Sequence, residues 1–156
     1  AQEGNKIILI RHSLAPGGGD PEGFKINDCK TQRNLNSKGI NQSKKIGKLF
    51  KKNKVPVDQV LSSQWCRCKD TAKYAFKNFE TLKALNSFYD EKFYKFKDKQ
   101  IKSLRKLIKN WDGVNNLIFV THYVVISEML NIGVSSGEIV VSNKSYKVSG
   151  IIDVQY

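Results

Sequence analysis

What this sequence has little of narrows its function first. No apolar stretch approaches the roughly 20 residues that a membrane-crossing helix needs, so no transmembrane segment is expected. Three cysteines (Cys29, Cys66 and Cys68) give neither an even disulfide set nor a zinc-binding pattern. Cys66 and Cys68 are separated by one residue and poorly placed to bridge each other; a bond from Cys29 to either is open, and so are three packed thiols. Repeats, long linkers and low-complexity tails are absent, and the 156 residues read as a single domain over 1–156. Acidic residues are scarce: 14 Asp and Glu face 27 Lys and Arg, for a net charge of +13. Such a potential attracts phosphate esters, nucleic acid or acidic lipid headgroups, although lysines spread this evenly also read as an ordinary solvated surface. The chain starts at Ala1 rather than Met. That fits an exported or periplasmic protein whose leader has been removed, and otherwise a cytoplasmic one.

What is present alternates strand and helix. Residues 6–10 (KIILI), 57–62 (VDQVLS) and 117–121 (LIFVT) read as buried strands. A helix is expected from Asn36-Ser37, with Ile40, Ile46, Leu49 and Phe50 on one face and lysines mostly on the other. Further helices are expected over 65–77, over 99–111 (Ile101, Leu104, Ile108 and Trp111 on one face) and through Val125, Ile126, Met129 and Leu130. Residues 138–142 and 146–154 read as a terminal hairpin turning at 143–145, and residues 16–36 as a long surface loop. The pattern predicts an α/β fold with a largely parallel sheet covered by helices on both faces.

In such sheets ligands bind beyond the carboxyl ends of the strands. Arg11 and His12 follow the first strand, Ser62, Ser63 and then Arg67 follow the second, and His122 follows the third. The chain has two histidines in all, and both stand at that position. Arginine offers a planar fork that matches two phosphate oxygens. A neutral imidazole held between guanidinium groups can attack phosphorus. A second imidazole can donate to the equatorial oxygens in the transition state. The glycines beside this step carry less. Gly17-Gly18-Gly19 are followed by Asp20-Pro21 rather than by the Lys of a P-loop, and the G-x-G-x-x-G pattern meets Glu22 where it needs glycine. They are expected to form a flexible rim.

With these residues in place, the sequence resembles the histidine phosphatase superfamily, the phosphoglycerate-mutase-like proteins, over nearly its whole length. The likeness rests on LIRHS at 9–13, NLNSKGINQSKKIG at 34–47, VLSSQWCRCKDTA at 60–72 and FVTHYVVI at 119–126. It implies a three-layer α/β/α sandwich and a phosphohistidine mechanism with His12 as the nucleophile. It further implies a phosphate pocket of Arg11, Arg67 and His122, joined by Ser13 where the family often has glycine, and no metal or cofactor. The short chain is similar to the small phosphatase branch, which includes protein phosphohistidine phosphatases, and this disfavours mutase activity. The acidic residue that many members carry corresponds here to Ser87. Asp90, Glu91 and Asp28 are the candidate replacements, each of which also reads as a solvated loop carboxylate. Without an acid, substrates with good leaving groups are favoured.

The expected partner is a phosphorylated small molecule or phosphoprotein. The alternative is a weak or inactive family member that binds an anionic ligand. Specific nucleic-acid binding is not expected, because Phe50 on the Lys-rich helix falls on its buried face and cannot stack on bases. The aromatics of the 88–96 loop (Phe88, Tyr89, Phe93, Tyr94 and Phe96) are expected to pack back onto the domain.

Overall fold

The computed structural model describes residues 1–156. In chain order the elements are β1 (Ile7–Arg11), α1 (Ser37–Lys52), β2 (Val57–Ser62), α2 (Cys66–Phe76), β3 (Glu80–Thr81), α3 (Glu91–Tyr94), α4 (Lys97–Asn110), β4 (Asn116–Thr121), α5 (Tyr123–Leu130), β5 (Ile139–Ser142) and β6 (Val148–Ile152). The six strands form one sheet in the order β3-β2-β4-β1-β5-β6. The β3-β2, β2-β4 and β4-β1 pairs are parallel, while β5 runs antiparallel to β1 and forms the terminal hairpin with β6.

The layers follow from side-chain alternation along the strands. Ile7 and Leu9 of β1 and Leu117 and Phe119 of β4 point to one face, where Ile101, Leu104 and Ile108 of α4 and Val125, Ile126 and Met129 of α5 cover them. Ile8, Ile10, Ile118 and Val120 point to the other face, under Ile46 and Phe50 of α1 and Ala72 and Ala75 of α2. This is the three-layer α/β/α sandwich expected from the sequence. All six residues of β4 are buried, as befits a strand covered on both sides. Phe50 is buried and meets Phe76 edge to face, so it is core rather than a stacking platform.

Asn36 caps α1 by accepting the Gly39 N–H at 2.9 Å. The helix then runs close to two other backbones. A Cβ at Gly39 would overlap the Leu14 carbonyl, and one at Gly47 would overlap the Ala75 carbonyl of α2. The long segment before α1 is tied to the rest of the domain by contacts to Trp65, Cys66 and Arg67. Cys29 and Cys66 form a disulfide, which resolves the open pairing and leaves Cys68 as a buried free thiol. No helix is long and apolar enough to cross a membrane.

The close approach at Gly47 gives a direct check. Gly47→Ala should destabilise the protein by about 1–3 kcal/mol through overpacking, against the helix-propensity gain that alanine normally brings. Urea unfolding would measure it, and a stabilised variant would refute the α1–α2 contact.

Candidate active site

The neighbouring strands β2, β4 and β1 end on the same side of the sheet, and the chemistry-bearing side chains leave from those ends. Pairing continues past the strands: the His12 N–H donates to the Thr121 carbonyl and the Ser63 N–H to the Val120 carbonyl, each at 3.0 Å. These bonds hold the segments after β1 and β2 against β4. His122 is the N-cap residue of α5 and Trp65 that of α2, so Arg67 lies in the first turn of α2.

Both histidines are buried, with ring centroids 5.7 Å apart. His12 Nδ1 is 2.9 Å from the Ser13 carbonyl, which can only accept. A neutral His12 therefore carries its proton on Nδ1 and keeps a lone pair on Nε2. The Arg67 Nε–H donates to that Nε2 at 3.3 Å. Burial, then Arg67, and more weakly Arg11 and Arg33, hold the His12 pKa well below its ordinary value, against the opposing pull of the Ser13 carbonyl, which exceeds that of either Arg11 or Arg33. His122 is lowered likewise, by burial first, then by Arg67 and His12. Its Nε2 lies 2.8 Å from Ser63 Oγ, and the Cys68 Sγ lies 3.5 Å from the same nitrogen. Burial pushes the Cys68 thiol up to about 12, so it stays a neutral packing group.

Arg67 is buried and its guanidinium is shared. Nη1 and Nη2 donate to Oδ1 and Oδ2 of Asp20 at 2.8 and 3.3 Å, and Nη1 also reaches the Arg33 carbonyl at 3.4 Å. Asp20 accepts further bonds from Trp65 Nε1 at 3.0 Å and from the Arg33 N–H at 3.2 Å. Burial raises its pKa, but the bonds from Arg67 and Trp65 outweigh that and hold the carboxyl below its usual range. Arg11 donates through Nη1 to the Val134 carbonyl at 2.8 Å, while its buried Nε has no partner in the protein. Burial and Arg67 lower the Arg11 pKa. A buried guanidinium donor without a partner in the protein is a group that an oxyanion can satisfy.

These groups open onto a cavity of about 430 Å³ bordered by Arg11, His12, Arg67 and His122. Those four expected residues are thus brought together. Ser13 is not: its hydroxyl turns away, accepting from Ser43 of α1 at 2.7 Å, and its contribution is the backbone carbonyl that orients His12. Of the three acid candidates, Asp90 alone borders the cavity. Asp28 instead caps the turn at Cys29–Thr31 by accepting from Lys30, and Glu91 is exposed on α3 outside the cavity lining. Ser87 does border it, at the place where the resemblance puts an acid. Gly17, Gly18 and Gly19 border the cavity, at the rim position expected of them. Phe88 and Phe93 pack back onto the domain as expected, and Phe93 also borders the cavity; Tyr89 borders it too but stays exposed. Asp20, Arg33 and Trp65 join the site with no sequence signal to mark them, since the contacts Asp20–Trp65, Asp20–Arg67 and Arg33–Arg67 span 34 to 47 positions.

The chain matches the family model described as Histidine phosphatase superfamily (branch 1) over residues 7–86. No curated protein sequence matches. Many solved structures share the fold. The open reading frame Rv3214 product of Mycobacterium tuberculosis is 16% identical, with a TM-score of 0.69 and 97% of each chain covered. The phosphoglycerate mutase of Thermus thermophilus is 12% identical, with a TM-score of 0.68 and coverage of 96% of this chain and 99% of its own. The protein histidine phosphatase SixA complexed with tungstate is 16% identical, with a TM-score of 0.62 and coverage of 94% and 96%. At such identities the likeness concerns the fold.

The lowered imidazoles can be watched directly, because the chain has two histidines in all. In a proton NMR titration both rings should stay neutral through pH 6.5, their ordinary value, and protonate only well below it. Between those limits the unfolded chain binds protons that the folded one refuses, so Tm should fall as pH drops below about 6.5. A ring titrating at its ordinary value would disprove the burial and charge argument.

Proposed function

Because this chain belongs to the histidine phosphatase superfamily, branch 1, we propose that it is a metal-independent phosphatase working through a covalent phosphohistidine on His12. The observation that carries the proposal is the His12 imidazole, held as the Nδ1–H tautomer by the Ser13 carbonyl, with Nε2 directed at the Arg67 guanidinium on the cavity wall. In the first step Nε2 attacks phosphorus in line, forming the N–P bond as the bond to the leaving group breaks. Arg67 and the unpaired Nε of Arg11 take the non-bridging oxygens, and His122 supports the equatorial charge of the transition state. In the second step water attacks phosphorus, the N–P bond breaks, inorganic phosphate leaves, and Nε2 recovers its lone pair. All the positive charge needed for the phosphoryl group comes from side chains in this scheme.

The leaving-group side supports a narrower substrate class. Ser87 is buried at the position where the resemblance places an acid, and its hydroxyl oxygen accepts the Tyr89 N–H at 3.2 Å. Asp90, on the rim, spends one oxygen capping α3 at the Lys92 N–H. A leaving group that departs with little protonation suits this site, as in phosphohistidine or an activated phosphomonoester. The likeness of fold to a protein histidine phosphatase that binds tungstate supports the same direction. The substrate is then a phosphorylated small molecule or a phosphoprotein presenting such a group.

Turnover of p-nitrophenyl phosphate and of phosphohistidine should be measured side by side, with EDTA present. His12→Ala should abolish both activities, and Arg67→Ala should cost roughly 2–4 kcal/mol in kcat/KM. Vanadate, which mimics five-coordinate phosphorus, should inhibit. Loss of activity on chelation would remove the metal-independent mechanism. Vanadate binding without turnover by the wild type would favour a non-catalytic anion-binding protein.

A further inference from the structure

Of the two ion pairs in the molecule, Lys97–Glu128 is a half-open pair between two helices, and Arg67–Asp20 stands at the cavity. The second pair has a specific form. A guanidinium has an end, made by Nη1 and Nη2, and a side, made by Nε and the outer hydrogen of Nη2. Asp20 takes the end with both carboxylate oxygens, and the side faces His12 Nε2. Carboxylate and phosphoryl group can therefore be held by the same guanidinium at once, on different edges.

Asp20 is itself immobilised with unusual care for a loop residue. Its Oδ2 accepts from Trp65 Nε1 and its Oδ1 from the Arg33 backbone. The Arg33 side chain turns back to clip the same loop, Nε donating to the Gly19 carbonyl at 2.7 Å and Nη1 to the Ala15 carbonyl. Gln32 Oε1 accepts the Cys66 N–H at 2.9 Å, and the Cys29–Cys66 bond ties the loop to the residue next to Arg67. The links between the segment around residues 20–33 and the start of α2 thus end on Trp65, Cys66 and Arg67 itself.

We propose that Asp20 is the positioning residue of the phosphate clamp: by gripping the end of the Arg67 guanidinium it presents the side edge to the phosphoryl group on His12. The proposal rests on the phosphatase reading above. Asp20 neither touches the phosphoryl group nor gives it a proton. It restricts Arg67 to the orientation in which Nε points to the reacting atoms, and it offsets the mutual repulsion of Arg11, Arg33 and Arg67, each of which borders the cavity.

The test compares wild type with Asp20→Asn, Asp20→Ala, Arg67→Ala, the Asp20→Ala/Arg67→Ala double variant and His12→Ala. It reads p-nitrophenyl phosphate turnover and, separately, vanadate binding by calorimetry. Asp20→Asn should lower kcat by roughly 10- to 100-fold, the scale for a misaligned catalytic group, and weaken vanadate binding. In the Arg67→Ala background, Asp20→Ala should change kcat by less than about twofold, because the residue acts through Arg67. Trp65→Phe, which removes one donor to Asp20, gives a milder version of the same pattern and serves if the Asp20 variants do not fold. Unchanged or faster turnover with tighter vanadate binding in Asp20→Asn would overturn the proposal and make the carboxylate a competitor for the anion site. Full additivity in the double variant would also overturn it. Turnover that persists in His12→Ala refutes the phosphohistidine mechanism instead, and the calorimetric comparison still decides the role of Asp20.

Discussion

A guanidinium buried to 4% exposure sets the terms for much of the first half of this chain. Removing a permanent charge from water costs several kcal/mol unless it is paired and hydrogen-bonded, and Arg67 is both. Its partners come from three separated stretches: His12 after β1, Asp20 in the glycine-rich segment, and the Arg33 carbonyl just before α1. Each can reach Arg67 only if the segment that carries it folds back over the carboxyl end of the sheet. The long excursion between β1 and α1 is therefore a wall of the cavity held by a buried charge. Burial first, and then the same charge, lower the pKa of both histidines, so one side chain organises the loop and helps keep the imidazoles neutral.

The sheet supplies the frame. The parallel strands β2, β4 and β1 are neighbours and end together, so three chain segments far apart in sequence arrive side by side. Two layers of helix then cover the faces, and the strand ends and the turns that leave them carry Arg11, His12 and His122 to the cavity, where α2 adds Arg67. The histidines are the first residues after β1 and β4, where backbone pairing still restrains the chain.

Strands covered on both faces read as unbroken apolar runs, as β1 and β4 do; β2 falls at the expected residues 57–62, but only Val60, Leu61 and Ser62 are buried, because its first half runs out at the exposed end of the sheet. The cap at Asn36 and the periodicity of α4 are local signals, and the structure keeps both. His12, His122, Arg11 and Arg67 are legible in the sequence because position after a strand is itself local. Asp20 and Arg33 are not, since their meaning depends on partners across the fold, and a GGGDP stretch carries no period. The strand β3 and the helix α3, two and four residues long, are too short to show any pattern. Ser13 reads as a ligand from its place beside His12, but alternation past the strand end turns its side chain toward α1. The choice of Cys66 over Cys68 as the partner of Cys29 depends on which side of α2 meets the loop, which spacing alone does not give.

The staple itself closes a loop over a sequence separation of 37 residues, containing all of α1 and β2. In the chain-entropy picture such closure withdraws about 4 kcal/mol of freedom from the unfolded chain, comparable with the whole margin of stability of many small domains. The bond joins the wall of the cavity to Cys66, the residue preceding Arg67. The thiol–disulfide poise of the surroundings thereby enters the thermodynamics of the site: under reducing conditions the same sequence must order its glycine-rich wall from hydrogen bonds, one ion pair and the packing of Phe24 and Ile26.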